Sequence, residues 1–349
     1  MRTRDYVARR LLLLIPVLIG ISLITFTLSH MIGDPVAAYV TEGSIEKVTP
    51  ERIQAIIKAH GLDQPIYVQY AYYIRDILQG DWGISKADAN RPVTQSISTY
   101  FPATMELTIT AVTLSLALGI PLGIVSATKK DKLTDHAARI FSLTGVSMPV
   151  FWFGLMLQYV FFYTLKVNRL PSLPLAGRVN QMLVTATGFR PITGLYILDS
   201  ILQGNLAVFA DALLHLILPA FALAYISLAL IARMMRSSML EVLRQDYITL
   251  ARSKGLPERV IIYKHALKNA IIPTVTVAGL AFGGLLAGAV LTETVFNWPG
   301  MGRWSTSAIL RDDIAAIMGF TLVIAVVYVF ANLIVDLMYA ALDPRIRLA

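Results

Sequence analysis

The chain has 349 residues, 56% hydrophobic and 15% charged, with a formal net charge of +8 and a mean hydropathy of +0.64. A soluble domain carries roughly 25% charged residues, so this balance excludes an ordinary water-soluble fold and fits a chain solvated by lipid. The absence of Cys removes thiol catalysis, disulfides and thiolate metal sites together. The basic residues gather at the ends of apolar blocks without aromatic interleaving, which argues against nucleic acid as a partner.

A membrane span needs about 20 apolar residues to cross roughly 30 Å of hydrocarbon. Six stretches free of Asp, Glu, Lys and Arg meet that length: 11–33, 107–128, 140–165, 212–232, 269–292 and 314–335. Charged residues such as Glu106, Lys129, Arg139 and Arg233 mark their ends, because a charge at a span's centre costs about 2.5 to 3.5 kcal/mol on insertion scales. The first run exceeds the apolar core of a secretory signal and has no convincing cleavage site, so it reads as an uncleaved anchor. The whole chain, 1–349, reads as one membrane domain. Eighteen Lys and Arg fall in the termini and short connections on one side and six on the other, which predicts both termini on the cytoplasmic side.

The 68-residue connection 34–101 is expected outside. Thr49-Pro50-Glu51 is a helix start with Pro at the first helical position, and a second helix is expected over 67–78. Its aromatic face reads as a headgroup-layer surface before a docking surface. The other external connection, 166–211, is rich in Pro and Gly and is expected to be irregular. Within the spans, Gly119 with Gly123, Gly279 with Gly283, and Gly284 with Gly288 are small-residue pairs that let helices approach closely. Pro16, Pro121 and Pro149 are expected to bend their helices.

Sites that convert energy are missing from the sequence: there is no phosphate-binding Gly-Lys loop, no HExxH and no GxSxG. His215 reads as a hydrogen-bonded structural histidine, and Glu106 and Asp336 lie near span ends rather than deep in the bilayer. Energy for uphill transport would have to enter from elsewhere. The connection 233–268 is the candidate entry point, with eight basic and three acidic residues. Residues 244–252 read as a helix continuing from the fourth span, Lys254-Gly255 breaks it, and Pro257 opens a short helix carrying Val260, Ile261 and Tyr263. A short helix held between two membrane-anchored arms is a stiff peg, able to pass rigid-body motion from a soluble partner to the flanking spans.

The run Asp246-Tyr247-Ile248-Thr249-Leu250-Ala251-Arg252-Ser253-Lys254-Gly255-Leu256, followed by His265-Ala266-Leu267-Lys268-Asn269-Ala270 and Pro273, resembles the EAA loop of binding-protein-dependent ABC importer permeases. Gly255 and Pro273 match the family's Gly and its downstream Pro. The Glu-Ala-Ala is kept only in part, as Thr249-Leu250-Ala251, so a contact made by the missing Glu is not carried over. Gly33-Asp34-Pro35, Gly61-Leu62-Asp63-Gln64-Pro65, Gly80-Asp81-Trp82-Gly83, Pro102-Ala103-Thr104-Met105-Glu106-Leu107, Leu170-Pro171, the stretch 293–303 and Asp343-Pro344-Arg345 extend the resemblance over nearly the whole chain. They place it with the first of the two permease subunits in the dipeptide/oligopeptide/nickel branch.

The resemblance implies an all-α membrane protein with the type I ABC importer permease fold, pairing with a homologous second permease. It also implies two cytoplasmic ATPase subunits, which would bind ATP and Mg, and an external substrate-binding protein; no cofactor is expected in this chain and no catalysis. The coupling loop would be carried by Asp246, Ala251, Lys254, Gly255, Leu256, Pro257, Val260, His265, Ala266, Asn269 and Pro273. Ser147, Met148, Phe151 and Trp152 are candidates for the translocation path. Trp82, Glu293, Asn297 and Arg303 are candidates for binding-protein contact. Di- or oligopeptides are the first expectation for the solute, with oligosaccharides and nickel chelates open. The rival readings are a stand-alone channel or carrier using Asp336, Asn332 and His215, a non-transporting receptor, and an intramembrane enzyme.

Overall fold

The computed structural model describes residues 3–32, 35–39 and 49–342. Arg2, Gly33-Asp34 and Asp343-Pro344-Arg345 lie outside the described residues, as do the surroundings of Gly288 and the Asp336 side chain. Among the described residues the architecture is a bundle built on six apolar helices. Five are long and apolar enough to cross, and α1 (Thr3–Ile32) adds the apolar stretch Ile15–Met31.

Two short helices follow α1. Helix α2 (Pro50–Ala59) starts with Pro at its first position and α3 (Ile66–Gln79) ends at Gly80 in the left-handed region, φ +86°, a backbone state open to glycine at no steric cost. Helix α3 is tied back to α1 by hydrogen bonds between Ser22 Oγ and Tyr70 OH (2.8 Å) and between His30 Nε2 and Gln69 Oε1 (2.9 Å). A small antiparallel hairpin, β1 (Ile84–Ser85) with β2 (Arg91–Pro92), turns through left-handed Ala89 and Asn90.

The second span is α4 (Val93–Thr128). Its 36 residues make about 54 Å of helix at 1.5 Å per residue, so its first turns rise beyond the hydrocarbon within the segment read as external. The third span is broken: α5 (Leu133–Ser147) stops at Met148-Pro149, and α6 (Val150–Gln158) restarts and passes through a π-helical stretch, Tyr159–Thr164, into α7 (Leu165–Val167). Pro149 has no N–H to give the preceding turn, and Met148 is extended at φ −90°, ψ 131°.

The connection to the fourth span corrects the expectation of irregular structure over 166–211. It holds α8 (Gln181–Thr187) and α9 (Tyr196–Leu202), and the fourth span, α10 (Leu206–Val242), starts before residue 212. The side chains of Asn180 and Asn205 accept from the N–H groups of Met182 and Val208 at the starts of α8 and α10, caps that outweigh the local Pro and Gly content.

Helix α10 is the axis of the bundle, flanked by α4, α5, α6 and α13. Leu216, Ala220, Leu223, Ala224, Leu228 and Ile231 are all buried along it. Gly119 and Gly123 allow the α4 crossing. A Cβ on Gly123 would stand 2.5 Å from Met235 Cβ and 2.7 Å from the Ala232 carbonyl, a close approach that only a small residue permits. Ser115 Oγ adds a hydrogen bond to the Ala224 carbonyl at 3.1 Å. Among the described residues nothing lies within 4 Å of a Cβ built on Gly284.

Beyond α10 come α11 (Asp246–Ser253) and α12 (Glu258–Val260). A π-helical stretch, Ile261–Ala266, then runs without interruption into the fifth span, α13 (Leu267–Val295). Helix α14 (Met301–Leu310) precedes the sixth span, α15 (Ile314–Leu342). The bundle thus has two distinct ends. The basic end holds the last turns of α4 and α10 with α11; the hairpin end holds β1, β2 and the start of α15.

Candidate functional site

Helix α11 is separate from α10, contrary to the expected continuation. The chain leaves the helical path at Leu243 and Arg244 and is extended at Gln245, φ −74°, ψ 150°, so α11 lies across the basic end as an eight-residue peg. One face is fixed. Ile248 and Ala251 are buried with Met235 and Met239 of α10, Ile124 and Ala127 of α4, and Ile261, Ala266 and Ala270 beyond. This spacing puts 248 and 251 on one side of the helix. Tyr247 and Leu250 are exposed on the other, together with Asp246 at its first turn.

The end of α11 is built around Gly255. Its N–H donates to the Arg252 carbonyl at 2.9 Å, the N–H of Leu256 donates to the Ala251 carbonyl at 3.4 Å, and Gly255 stands at φ +73°. These are the two reverse bonds and the left-handed residue of a Schellman helix stop. A Cβ at Gly255 would meet nothing within 4 Å, so glycine is demanded here by backbone conformation and not by space. Lys254, Leu256 and Pro257 complete the exposed turn.

Two polar links bind α11 to the following arm: Arg252 to Glu258 at 2.7 Å across the turn, and Asn269 Nδ2 donating to Tyr247 OH at 2.8 Å. Val260 and His265 are half-buried, Ala266 is buried, and Pro273 sits exposed inside α13 without ending it. The structure therefore gathers the predicted loop residues into one unit. The expected independent short helix after Pro257 is instead the first turn of a continuous arm.

The four path candidates cluster at the break in the third span. Ser147 is exposed, Met148 half-buried, and Phe151 and Trp152 are 45% and 42% exposed. The break frees the last carbonyls of α5 and the first N–H groups of α6. Such backbone at membrane depth is tolerated only against protein or a water-filled cavity. Beside it, Val150, Ile226, Leu230, Val277, Ala281 and Gly284 line a groove of about 400 Å³ between α6, α10 and α13.

At the hairpin end the candidates divide. Asn297 (φ +48°) and Arg303 are exposed. Glu293 is fully buried, and this corrects its assignment to an outward contact. Its Oε1 accepts from Thr104 Oγ1 at 2.5 Å and its Oε2 from the Arg303 N–H at 2.9 Å, while Thr104 Oγ1 also accepts from the Met301 N–H at 2.8 Å. Trp82 is half-buried and donates from Nε1 to the Ile77 carbonyl at 3.1 Å.

Sequence reading also missed the pair Glu106 and Arg178, both 7% exposed. Glu106 accepts from the Ile197 N–H at 2.8 Å, and Arg178 donates to the Gly194 carbonyl at 2.8 Å and stacks over Tyr196. Asp313 accepts from Ser85 Oγ (2.8 Å) and the Ala87 N–H (2.9 Å), fastening the hairpin to α15.

Residues 119–348 match the family model described as "Binding-protein-dependent transport system inner membrane component", and residues 3–110 match that of the N-terminal part of such components. The chain is 46% identical over 334 residues to the probable D,D-dipeptide transport system permease protein DdpB of Escherichia coli K12, covering 95% of this chain and 94% of that protein. It is 45% identical to the dipeptide transport system permease protein DppB of the same organism, covering 98% of each. It is 35% identical to the oligopeptide transport system permease protein AppB of Bacillus subtilis, over 98% and 99% respectively.

Proposed function

This chain belongs to the family of binding-protein-dependent transport system inner membrane components, and from that premise we propose how it works within an ATP-driven importer. It is the first of two permease subunits and encloses a path together with a homologous partner. The basic end faces the cytoplasm, in line with the excess of Lys and Arg there. Two ATPase subunits dock on that end and supply the site for ATP and Mg. A substrate-binding protein docks on the hairpin end, with Asn297 and Arg303 at the contact. The solute is a di- or oligopeptide, as the names of the relatives support.

The observation that carries the coupling proposal is α11 itself: a helix stopped by Gly255, seated on the bundle by Ile248 and Ala251, with Tyr247 and Leu250 left exposed. Tyr247 and Leu250, beside exposed Asp246, Thr249 and Arg252, make an amphipathic outer face that fits a groove in a soluble partner. Because the arm from Glu258 runs into α13, a displacement of α11 passes to the fifth span and thereby to the groove beside Gly284. ATP and the loaded binding protein each favour one state of the path by binding that state better.

The broken backbone at Met148-Pro149 supports a path along this face, because lipid offers its carbonyls no donor. The test is mass spectrometry of proteins retained with the tagged chain after mild detergent extraction from its native membrane. Recovery of a second permease and ATPase subunits is the expected result. A chain recovered alone that still transports without ATP would overturn the proposal in favour of a carrier.

A further inference from the structure

A cavity of about 430 Å³ lies at the basic end between α4, α5 and α10, and the transport reading does not use it. Its rim carries Arg139, Arg233 and Arg236, while Leu122, Leu143 and Val146 line its apolar side. Asp135, buried beside it, is already committed. Its Oδ1 accepts from Ser126 Oγ (2.5 Å) and Arg236 Nε (2.7 Å), and its Oδ2 from Arg236 (2.8 Å) and the Asp131 N–H (3.0 Å).

With both carboxylate oxygens taken up by Arg236, this pair is closed on itself. Arg139 stands 3.7 Å from the same carboxylate and donates to His136 Nδ1 at 2.7 Å. Arg233 is exposed and makes no hydrogen bond or ion pair among the described residues. Three guanidinium groups against one carboxylate leave the cavity at +2.

Depth identifies the occupant. Arg139 and Arg233 are the charged residues adjoining the apolar runs 140–165 and 212–232, which sets them in the headgroup layer, whereas Leu122, Leu143 and Val146 fall within the runs. A charged rim above an apolar wall matches an amphiphile; a small zwitterionic solute gains nothing from that wall. We propose that this cavity binds one anionic phospholipid, its phosphate held between Arg139 and Arg233 and its first methylenes laid along Leu122, Leu143 and Val146. Guanidinium forks suit phosphate oxygens, and basic cavities between spanning helices are suited to anionic headgroups. The lipid would wedge α5 against α10 beside the Asp135–Arg236 pair.

The test uses the intact importer complex containing this chain, delipidated in detergent and titrated with dioleoyl phosphatidylglycerol or dioleoyl phosphatidylcholine, with retained lipid counted by native mass spectrometry. The comparison is with Arg139→Gln/Arg233→Gln, which spares the Asp135–Arg236 pair. The expected result is one phosphatidylglycerol held about thirtyfold more weakly by the variant, which is roughly 2 kcal/mol at 1.4 kcal/mol per decade. Phosphatidylcholine should bind the two proteins alike, and millimolar inorganic phosphate should not displace the lipid. Equal phosphatidylglycerol retention by the two proteins would overturn the proposal. So would displacement by phosphate alone, which would mark a bare anion site. An unchanged melting temperature of the variant shows that loss of lipid is not loss of fold. Peptide uptake lost to the same degree in phosphatidylglycerol and phosphatidylcholine vesicles, without a change in lipid retention, would assign the cavity to the path.

Discussion

Helix α11 and the hairpin end are fastened by different physics, although the bundle beneath α11 keeps the buried Asp135–Arg236 pair. At the hairpin end the links are buried and charged or polar: Glu106 with Arg178, Glu293 with Thr104, and Asp313 with Ser85. At the basic end α11 is seated by a few apolar contacts, and its polar ties are exposed, with Arg252 and Glu258 at 45% and 54%. A buried charge that loses its partner costs about 3 to 5 kcal/mol, while an exposed ion pair contributes about 0 to 1 kcal/mol. The hairpin end is therefore a clamp, and α11 a part that can shift at small cost. An importer needs that asymmetry if motion is to enter at α11.

Substitutions at the two places put this contrast on a stability scale. Arg178→Met leaves Glu106 buried and unpaired, and a loss of about 3 to 5 kcal/mol is expected, read as a large fall in melting temperature of the detergent-solubilised chain. Thr104→Val removes a donor from buried Glu293 and an acceptor from the Met301 N–H, with an expected loss of about 1 to 3 kcal/mol by the same assay. Arg252→Gln at the basic end should cost no more than about 1 kcal/mol in stability. If it destabilised the chain as much as Arg178→Met, the contrast between α11 and the hairpin end would fail.

The sequence made the spans legible because hydrocarbon imposes one strong rule: about 20 apolar residues without charge. The rule says nothing about helix beyond the membrane, which is why the first turns of α4, the start of α10 and all of α8 and α14 went unread. Gly255 was legible as a stop because a left-handed residue has few substitutes, and the structure supplies the two hydrogen bonds that make it one. The break at Met148 was announced by Pro149.

Contacts between residues far apart in sequence left no such mark. Glu106 and Arg178 are separated by 72 positions, and nothing in either neighbourhood announces the other. Glu293 looked like a surface charge at the end of a span; only the packing of Gly300 and Gly302 against its carboxyl reveals it as an interior strut. By contrast, Arg252 and Glu258 flank a Gly-Leu-Pro turn with opposite charges, a signal that was available and unused.

Coupling through α11 is probed by the Gly255→Asp variant in the reconstituted importer, with peptide uptake and ATP hydrolysis measured together. A side chain at φ +73° strains the helix stop without meeting a neighbour, so the chain should insert and assemble. Loss of uptake is expected, with hydrolysis no longer stimulated by the loaded binding protein. Uptake and stimulation equal to those of the unmodified importer would contradict the claim that motion enters through α11.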